Sequence, residues 1–305
     1  MRITPWLANL AVGITLPLTL LSPLAHAADA LPNVTAALAE SRATVSIIID
    51  DVGHNRRYGE RVARLPAPLT LSILPHTPFD QHFANLGRTL GKEVMLHMPM
   101  QAIGNRAAYP NQLEADMAHP TFMATLRSNL GAFDGYTGIN NHQGSLMMGN
   151  APRLEWMMAE IANRNVFFVD SRTIGRSPAN RIATRYGIAT SDRDVFLDHE
   201  VSETVISRQF DRLVTRALRD GHAVAIGHPH PATIAVLERK LPSLAKLGIA
   251  VVPVSTTIAL QSGATLYAAG DAVLDHGRPA QPTVRARQNP LLREIGDNEL
   301  YTATR

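Results

Sequence analysis

Val45-Ser46-Ile47-Ile48-Ile49-Asp50-Asp51 is the stretch that decides how this chain folds. Four of its first five side chains are apolar and β-branched, and the run breaks into two acids. An apolar run without alternation suits a strand covered on both faces, as in a parallel sheet. The same form recurs along the chain. Residues 69–74 end at Pro75-His76, 93–96 at His97-Met98-Pro99, and 137–139 at Asn140-Asn141-His142. Residues 166–169 end at Asp170, and 223–226 at Gly227-His228. Residues 187–190 form a weaker run and 249–254 the last.

Helical patterns lie between these runs. They cover 79–90, 121–130, 152–163 with Asn150 as a cap, 202–219 with Asp220-Gly221 as a stop, and 231–247, which Pro242 should kink or split. Arg56, Arg57, Arg61 and Arg64 read as the solvated face of a further helix. Strand and helix alternate seven or eight times. That predicts an α/β fold, either a doubly wound sheet or a (β/α) barrel, and the count and length favour the barrel.

The chain has 305 residues, 45% hydrophobic and 18% charged, which is ample material for a core. Lys and Arg total 29 against 26 acids, a net charge of +3. So small a surplus argues against nucleic acid as the main partner. The absence of Cys excludes disulfides, thiolate metal sites, iron–sulfur clusters and Cys nucleophiles. There is no P-loop, no G-x-G-x-x-G after a strand, no H-E-x-x-H and no G-x-S-x-G.

Residues 1–27 have the layout of a secretory signal peptide: Arg2, an apolar run over 7–21, and Ala25-His26-Ala27 as the cleavage site. The expected mature protein is exported, to the periplasm, with no stable membrane insertion after cleavage. Residues 28–43 read as a lead-in, 44–265 as the folded domain, and 266–305 as a mostly disordered tail with few large apolar residues. Aromatic residues are 5%, and Trp156 is the one Trp left after cleavage, so a long stacking groove for a polysaccharide is not evident.

The polar residues are in phase with the strands. Asp50, Asp51, His76, His97, His142, Asp170 and His228 each follow an apolar run. In a parallel β/α fold those positions share one rim, where sites are built. Side chains alternate along a regular strand, so Asp50 and Asp51 can face one mouth only where the strand ends and its geometry relaxes. A divalent cation held by one acid would leave the other as a general base. His142 sits in a polar loop with Asn141, and imidazole suits zinc-like ions. His97 is flanked by apolar residues and is either a ligand or a satisfied core histidine. His228 and His230 precede a helix start at Pro231, where an imidazolium is disfavoured unless a carboxylate lies near.

Six blocks together resemble the divergent polysaccharide deacetylase family of bacterial envelopes. They are 47–53, Leu74-Pro75, Leu96-His97-Met98-Pro99-Met100, 138–145, 168–173 and 226–230, spread over about 44–256. The resemblance implies a distorted (β/α) barrel, seven- or eight-stranded. It implies Asp50 as base, Asp51 and His142 as metal ligands and His228 as general acid, with His230 its rival. It also implies a second metal His four residues after His142, where this chain has Leu146. Either His97 supplies the third ligand from the neighbouring strand, or the metal site is weakened or lost. The implied activity is metal-dependent hydrolysis, most plausibly with Zn²⁺, of N-acetyl or O-acetyl groups on an envelope polysaccharide or glycan. Asp170 is expected to orient His228 or a ligand, and His76 and Asn141 are further rim candidates. Two rivals stand beside this reading. One is a catalytically degenerate glycan-binding protein on the same fold. The other is a glycoside hydrolase using Asp50 with Asp170.

Overall fold

The computed structural model describes residues 38, 40–104 and 108–262. The signal segment 1–27, most of the lead-in and the tail 266–305 lie outside the described residues; of the lead-in, residues 38 and 40 are helical and Ala43 already opens a strand.

The elements alternate as the runs predict. They are β1 (Ala43–Val52), α1 (Arg56–Ala63), β2 (Thr70–Ile73), α2 (Asp80–Thr89), β3 (Glu93–Met100), α3 (His119–Leu130), β4 (Gly138–Gln143), α4 (Ala151–Ile161) and β5 (Phe167–Asp170). Then come α5 (Ala179–Arg185), β6 (Thr190–Asp192), β7 (Val195–Phe196), α6 (Glu203–Asp220), β8 (His222–Gly227), α7 (Pro231–Leu244), β9 (Ile249–Val251) and α8 (Val254–Gln261). Every strand pairing is parallel. The order is β6-β5-β4-β3-β2-β1-β8-β7, with β9 added to β1.

That order has a consequence. β6 and β7 are the two edges of the sheet, yet only Arg193 and Asp194 separate them in sequence. Three peptide steps span at most about 11 Å, so the sheet must curl until its edges meet. Arg193 N donates to Asp170 O of β5, and Asp194 N donates to Val224 O of β8. These two bonds seam the distorted barrel expected from the strand count.

Alternation on the strands sorts the apolar residues into two cores. Val45, Ile47 and Ile49 of β1 face outward to the helices, with Phe83, Phe122, Leu154 and Phe210. Ile48 points inward with Met95, Phe167, Val169, Val224 and Ile226. Val254 and Ile258 of α8 complete this inner cluster. Glu93, at the start of β3, accepts from Ser255 N at 3.2 Å, so α8 lies at the amino-terminal mouth of the barrel. The carboxyl mouth is left for the site.

Local signals set the helix ends. Asn150 Oδ1 accepts from Arg153 N and caps α4. Gly221, at φ +82, stops α6. Pro242 does not split its helix; α7 continues to Leu244 before a single 3₁₀ turn, because Pro242 removes one hydrogen bond near the end of the helix rather than at its middle. The expected strand over 249–254 is shorter, since Pro253 ends it and α8 begins at Val254. Among the described residues, no helix is long and apolar enough to cross a membrane.

Gly138 opens β4 where a Cβ would stand 2.2 Å from the Phe167 ring. Gly138→Ala is expected to cost about 1–3 kcal/mol through overpacking. The check is urea denaturation, with a lower midpoint at an unchanged slope.

Candidate active site

Asp50 is buried near the end of β1. Asp51 follows with a left-handed backbone, φ +57, and the β1–β2 register shifts between Ile49 and Val52. This kink breaks the alternation and brings neighbouring carboxyls to one mouth. Left-handed backbone in non-glycine residues is costly and tends to mark functional sites. Gln143 (φ +54) and Arg172 (φ +52) share it and line the same cavity of about 570 Å³.

Parallel pairing sets His97 of β3 beside Asn140 of β4. The Asn140 amide is a hub. Its Nδ2 donates to Asp50 Oδ1 at 2.8 Å, and a carboxyl group buried here needs that donor. The amide is thereby oriented, so its oxygen accepts from Ser72 Oγ at 2.6 Å and from His97 Nδ1 at 2.7 Å. His97 then carries its proton on Nδ1, and a neutral ring presents a lone pair at Nε2.

That lone pair faces two acids. His97 Nε2 is 3.2 Å from Asp51 Oδ1 and 3.6 Å from Asp50 Oδ2. His142 Nδ1 approaches the same Asp51 oxygen at 3.0 Å. One ligand atom from each of Asp51, His97 and His142 lies within 4.8 Å of the others. Acceptors this close repel unless a positive charge sits among them. Burial pushes His97 down, yet the charges of Asp50 and Asp51 outweigh it and raise its pKa. Burial pushes Asp51 up, yet His142 and His97, which hydrogen-bond to it as imidazoliums when no metal takes their lone pairs, hold it well below the usual carboxylate range. The spot therefore favours a cation, and the donor set of two imidazoles and one carboxylate fits a divalent metal. Leu146, where the resemblance implies a second histidine, is partly exposed. The third donor of the cluster is His97, from the neighbouring strand.

On the opposite wall, His228 follows β8. Its Nε2 is 3.8 Å from Asp51 Oδ2. Its Nδ1 is 2.9 Å from Asp198 Oδ1. The other Asp198 oxygen accepts from His228 N and Thr233 Oγ1, both at 2.7 Å. Both oxygens are thus occupied, and Asp198 orients His228 instead of offering a metal ligand, although Asp198, His228 and His230 cluster closely. Burial pushes His228 down, but Asp198, with Asp51 and Asp50 farther off, raises it to about 9 from an ordinary 6.5. The carboxylate that an imidazolium beside the α7 start requires is Asp198. His230 occupies the N-cap position of α7 without a side-chain capping bond, its ring 5.8 Å from that of His228.

Three candidates have other tasks. Asp170 is not the partner of His228, a place taken by Asp198; its Oδ1 accepts from Arg172 N at 2.7 Å and holds the turn after β5. His76 is exposed, and its Nε2 meets Ser128 Oγ at 3.3 Å, away from the cavity. Asn141 lines the cavity, but its amide ties together Ser171 N, Gln143 O and Thr173 Oγ1. Three residues were missed. Asn140 shares the strand face of His142, two residues on, and that spacing was its signal. Asp198 follows the short apolar run Val195-Phe196-Leu197, the strand-end rule again at a run too brief to notice. Tyr109 has no sequence signal; its ring packs against the His142 ring, and its hydroxyl meets His54 Nε2 at 2.7 Å.

A parallel α/β barrel whose carboxyl mouth gathers acids and imidazoles is the architecture of the polysaccharide deacetylase type. The chain belongs to the divergent polysaccharide deacetylase family, whose model matches residues 47–258. It is 34% identical over 200 residues to the uncharacterized protein YibQ of Escherichia coli K12, covering 66% of this chain and 63% of that protein. An uncharacterized protein of Haemophilus influenzae is 30% identical over 204 residues, 67% of this chain and 73% of its own. The crystal structure of the uncharacterized protein ATU2773 from Agrobacterium tumefaciens C58 superposes with a TM-score of 0.68 at 25% identity, over 75% of this chain and 96% of that one.

Because His228 is raised above its unfolded value and Asp198 is held below its own, the stability this pair contributes is complete between about pH 4 and 6.5, is lost as pH rises through about 9, and is lost again in acid as Asp198 is protonated. In Asp198→Asn the His228 titration, followed by NMR, is expected to fall from about 9 toward 6.5. An unmoved titration would show that Asp198 does not tune this imidazole.

Proposed function

We propose that this protein is an exported, metal-dependent hydrolase that removes N-acetyl, or O-acetyl, groups from a cell-envelope polysaccharide or glycan. The observation that carries the reading is one cavity bordered by three elements: the Asp51, His97 and His142 donors, the buried Asp50 carboxyl, and the His228–Asp198 pair. Family membership supports the reaction type, and the layout of residues 1–27 supports export to the periplasm.

Asp51, His97 and His142 would hold the ion, with Zn²⁺ the best match to three nitrogen and oxygen donors and an open position. When bound, such an ion supplies Lewis acidity that polarises the acyl carbonyl and acidifies water. The chain's own groups do the rest. Asp50 accepts the proton of the attacking water, its orientation fixed by Asn140. The water oxygen bonds to the acyl carbon and the C–N bond breaks. His228, kept protonated by Asp198, donates its proton to the departing amine, which leaves acetate and a free amino group. In an O-acetyl substrate the same proton goes to the alcohol oxygen.

The test is acetate release from N-acetylated oligosaccharides together with metal analysis of protein purified without chelator. Near-stoichiometric metal and release are expected in the wild type. Asp50→Asn should keep the metal and lose about 10²–10⁴-fold in rate. His97→Ala should lose the metal as well. Metal bound with no release from any acetylated glycan, but with glycan binding retained, would replace this reading with that of a binding protein.

A further inference from the structure

Beside the acid–imidazole cluster lies a second chamber of about 460 Å³ that shares Arg172, Thr173 and Arg193 with the first. Its charged walls are Arg172, Arg193, Arg216, Asp192 and Asp194. Two of the arginines have acidic partners. Arg216 meets Asp194 at 2.9 Å and Asp220 at 3.4 Å. Arg172 meets Asp192 at 3.4 Å, with both side chains more than two-fifths exposed, a pairing worth little.

Arg193 is different. It is half-buried at the barrel seam, and among the described residues no carboxylate lies within 4 Å of it. Its Nε donates to Ser171 O at 2.7 Å and one terminal nitrogen to Arg172 O at 3.0 Å, while Phe196 lies 4.8 Å beneath the guanidinium. A guanidinium has five N–H donors, so three stay uncommitted on a rigidly held fork. Burial lowers its pKa, against the more distant pull of Asp50, Asp170 and Asp194. Ser171 also lines the cavity. It is 7% exposed, and its buried hydroxyl has no hydrogen-bond partner among the described residues. Arg172, between them, is held in a left-handed backbone by Asp170. A half-buried planar cation, an orphan hydroxyl and a second arginine with a left-handed backbone, all three lining the first cavity, form a receptor for a carboxylate or phosphate.

We propose that Arg193, Arg172 and Ser171 form an anion subsite beside the reaction centre, so that the accepted sugar unit carries a carboxylate or a phosphate. The proposal rests on the deacetylase reading for the sugar, but not for the anion. The probes are N-acetylmuramic acid, N-acetylglucosamine 6-phosphate and neutral N-acetylglucosamine, titrated into the full chain by NMR at low ionic strength. At least one anionic sugar is expected to bind about tenfold or more tightly than the neutral one, as befits a charge-assisted bidentate contact. The tighter of the two identifies carboxylate or phosphate as the group selected. Arg193→Gln should bring the ratio close to one. Arg172→Gln, at an exposed side chain, should reduce it even if the Arg193 variant fails to fold. Equal affinities, no binding by any probe, or a ratio unmoved in a folded variant would overturn the subsite. Anionic preference without acetate release would remove the hydrolytic reading and leave the subsite standing. Acetate release without preference would do the reverse.

Discussion

A carboxyl group inside an apolar barrel must have a hydrogen-bond donor, and for Asp50 that donor is the side-chain amide of Asn140. Much follows from this one bond. It turns the amide so that its oxygen faces His97 and Ser72. It thereby places the His97 proton on Nδ1 and aims Nε2 at Asp51. It leaves acceptors converging at a point that only a cation relieves. Had the amide been apolar, Asp50 would have been an unsatisfied buried acid and His97 free to rotate, and the mouth would have no defined electrostatics.

The second constraint is the seam. Two residues join the edge strands, and both are used twice. Arg193 and Asp194 close the sheet through their backbone N–H groups, and their side chains border the second chamber. Closure and recognition are thus coupled through the same residues. Among the described residues, the apolar side chains of α8 fill the opposite mouth, and the polar groups line the cavity at the carboxyl end. That is why charged side chains otherwise scattered through 180 residues share one cavity.

Much of this was legible beforehand. The unalternating runs at Val45 and Phe167 marked strands covered on both faces, and the polar residue after each run marked the rim. Five such residues, Asp50, Asp51, His97, His142 and His228, do converge. The rule failed at His76, because a left-handed turn at that residue (φ +57) swings it to the outer surface toward Ser128. It gave His228 the wrong partner, since Asp170 accepts from a backbone N–H and Asp198 holds His228. It overlooked Asp198, because β7 is two residues long and no periodicity can be read in so short a run. At Leu146 the sequence left two outcomes open, a third ligand from His97 or a weakened site, and the structure gathers His97 with Asp51 and His142.

The sequence by itself determined the class of fold, the rim and the residue types gathered there, because burial on two faces leaves an apolar pattern and strand ends are where that pattern must stop. Tertiary structure alone decided which rim residues meet. Pairing register put His97 beside Asn140, a backbone kink turned Asp51 to the side of Asp50, and closure of the barrel brought Asp198 to His228. These are relations between strands, set by hydrogen-bond register and sheet curvature, and no single segment contains them.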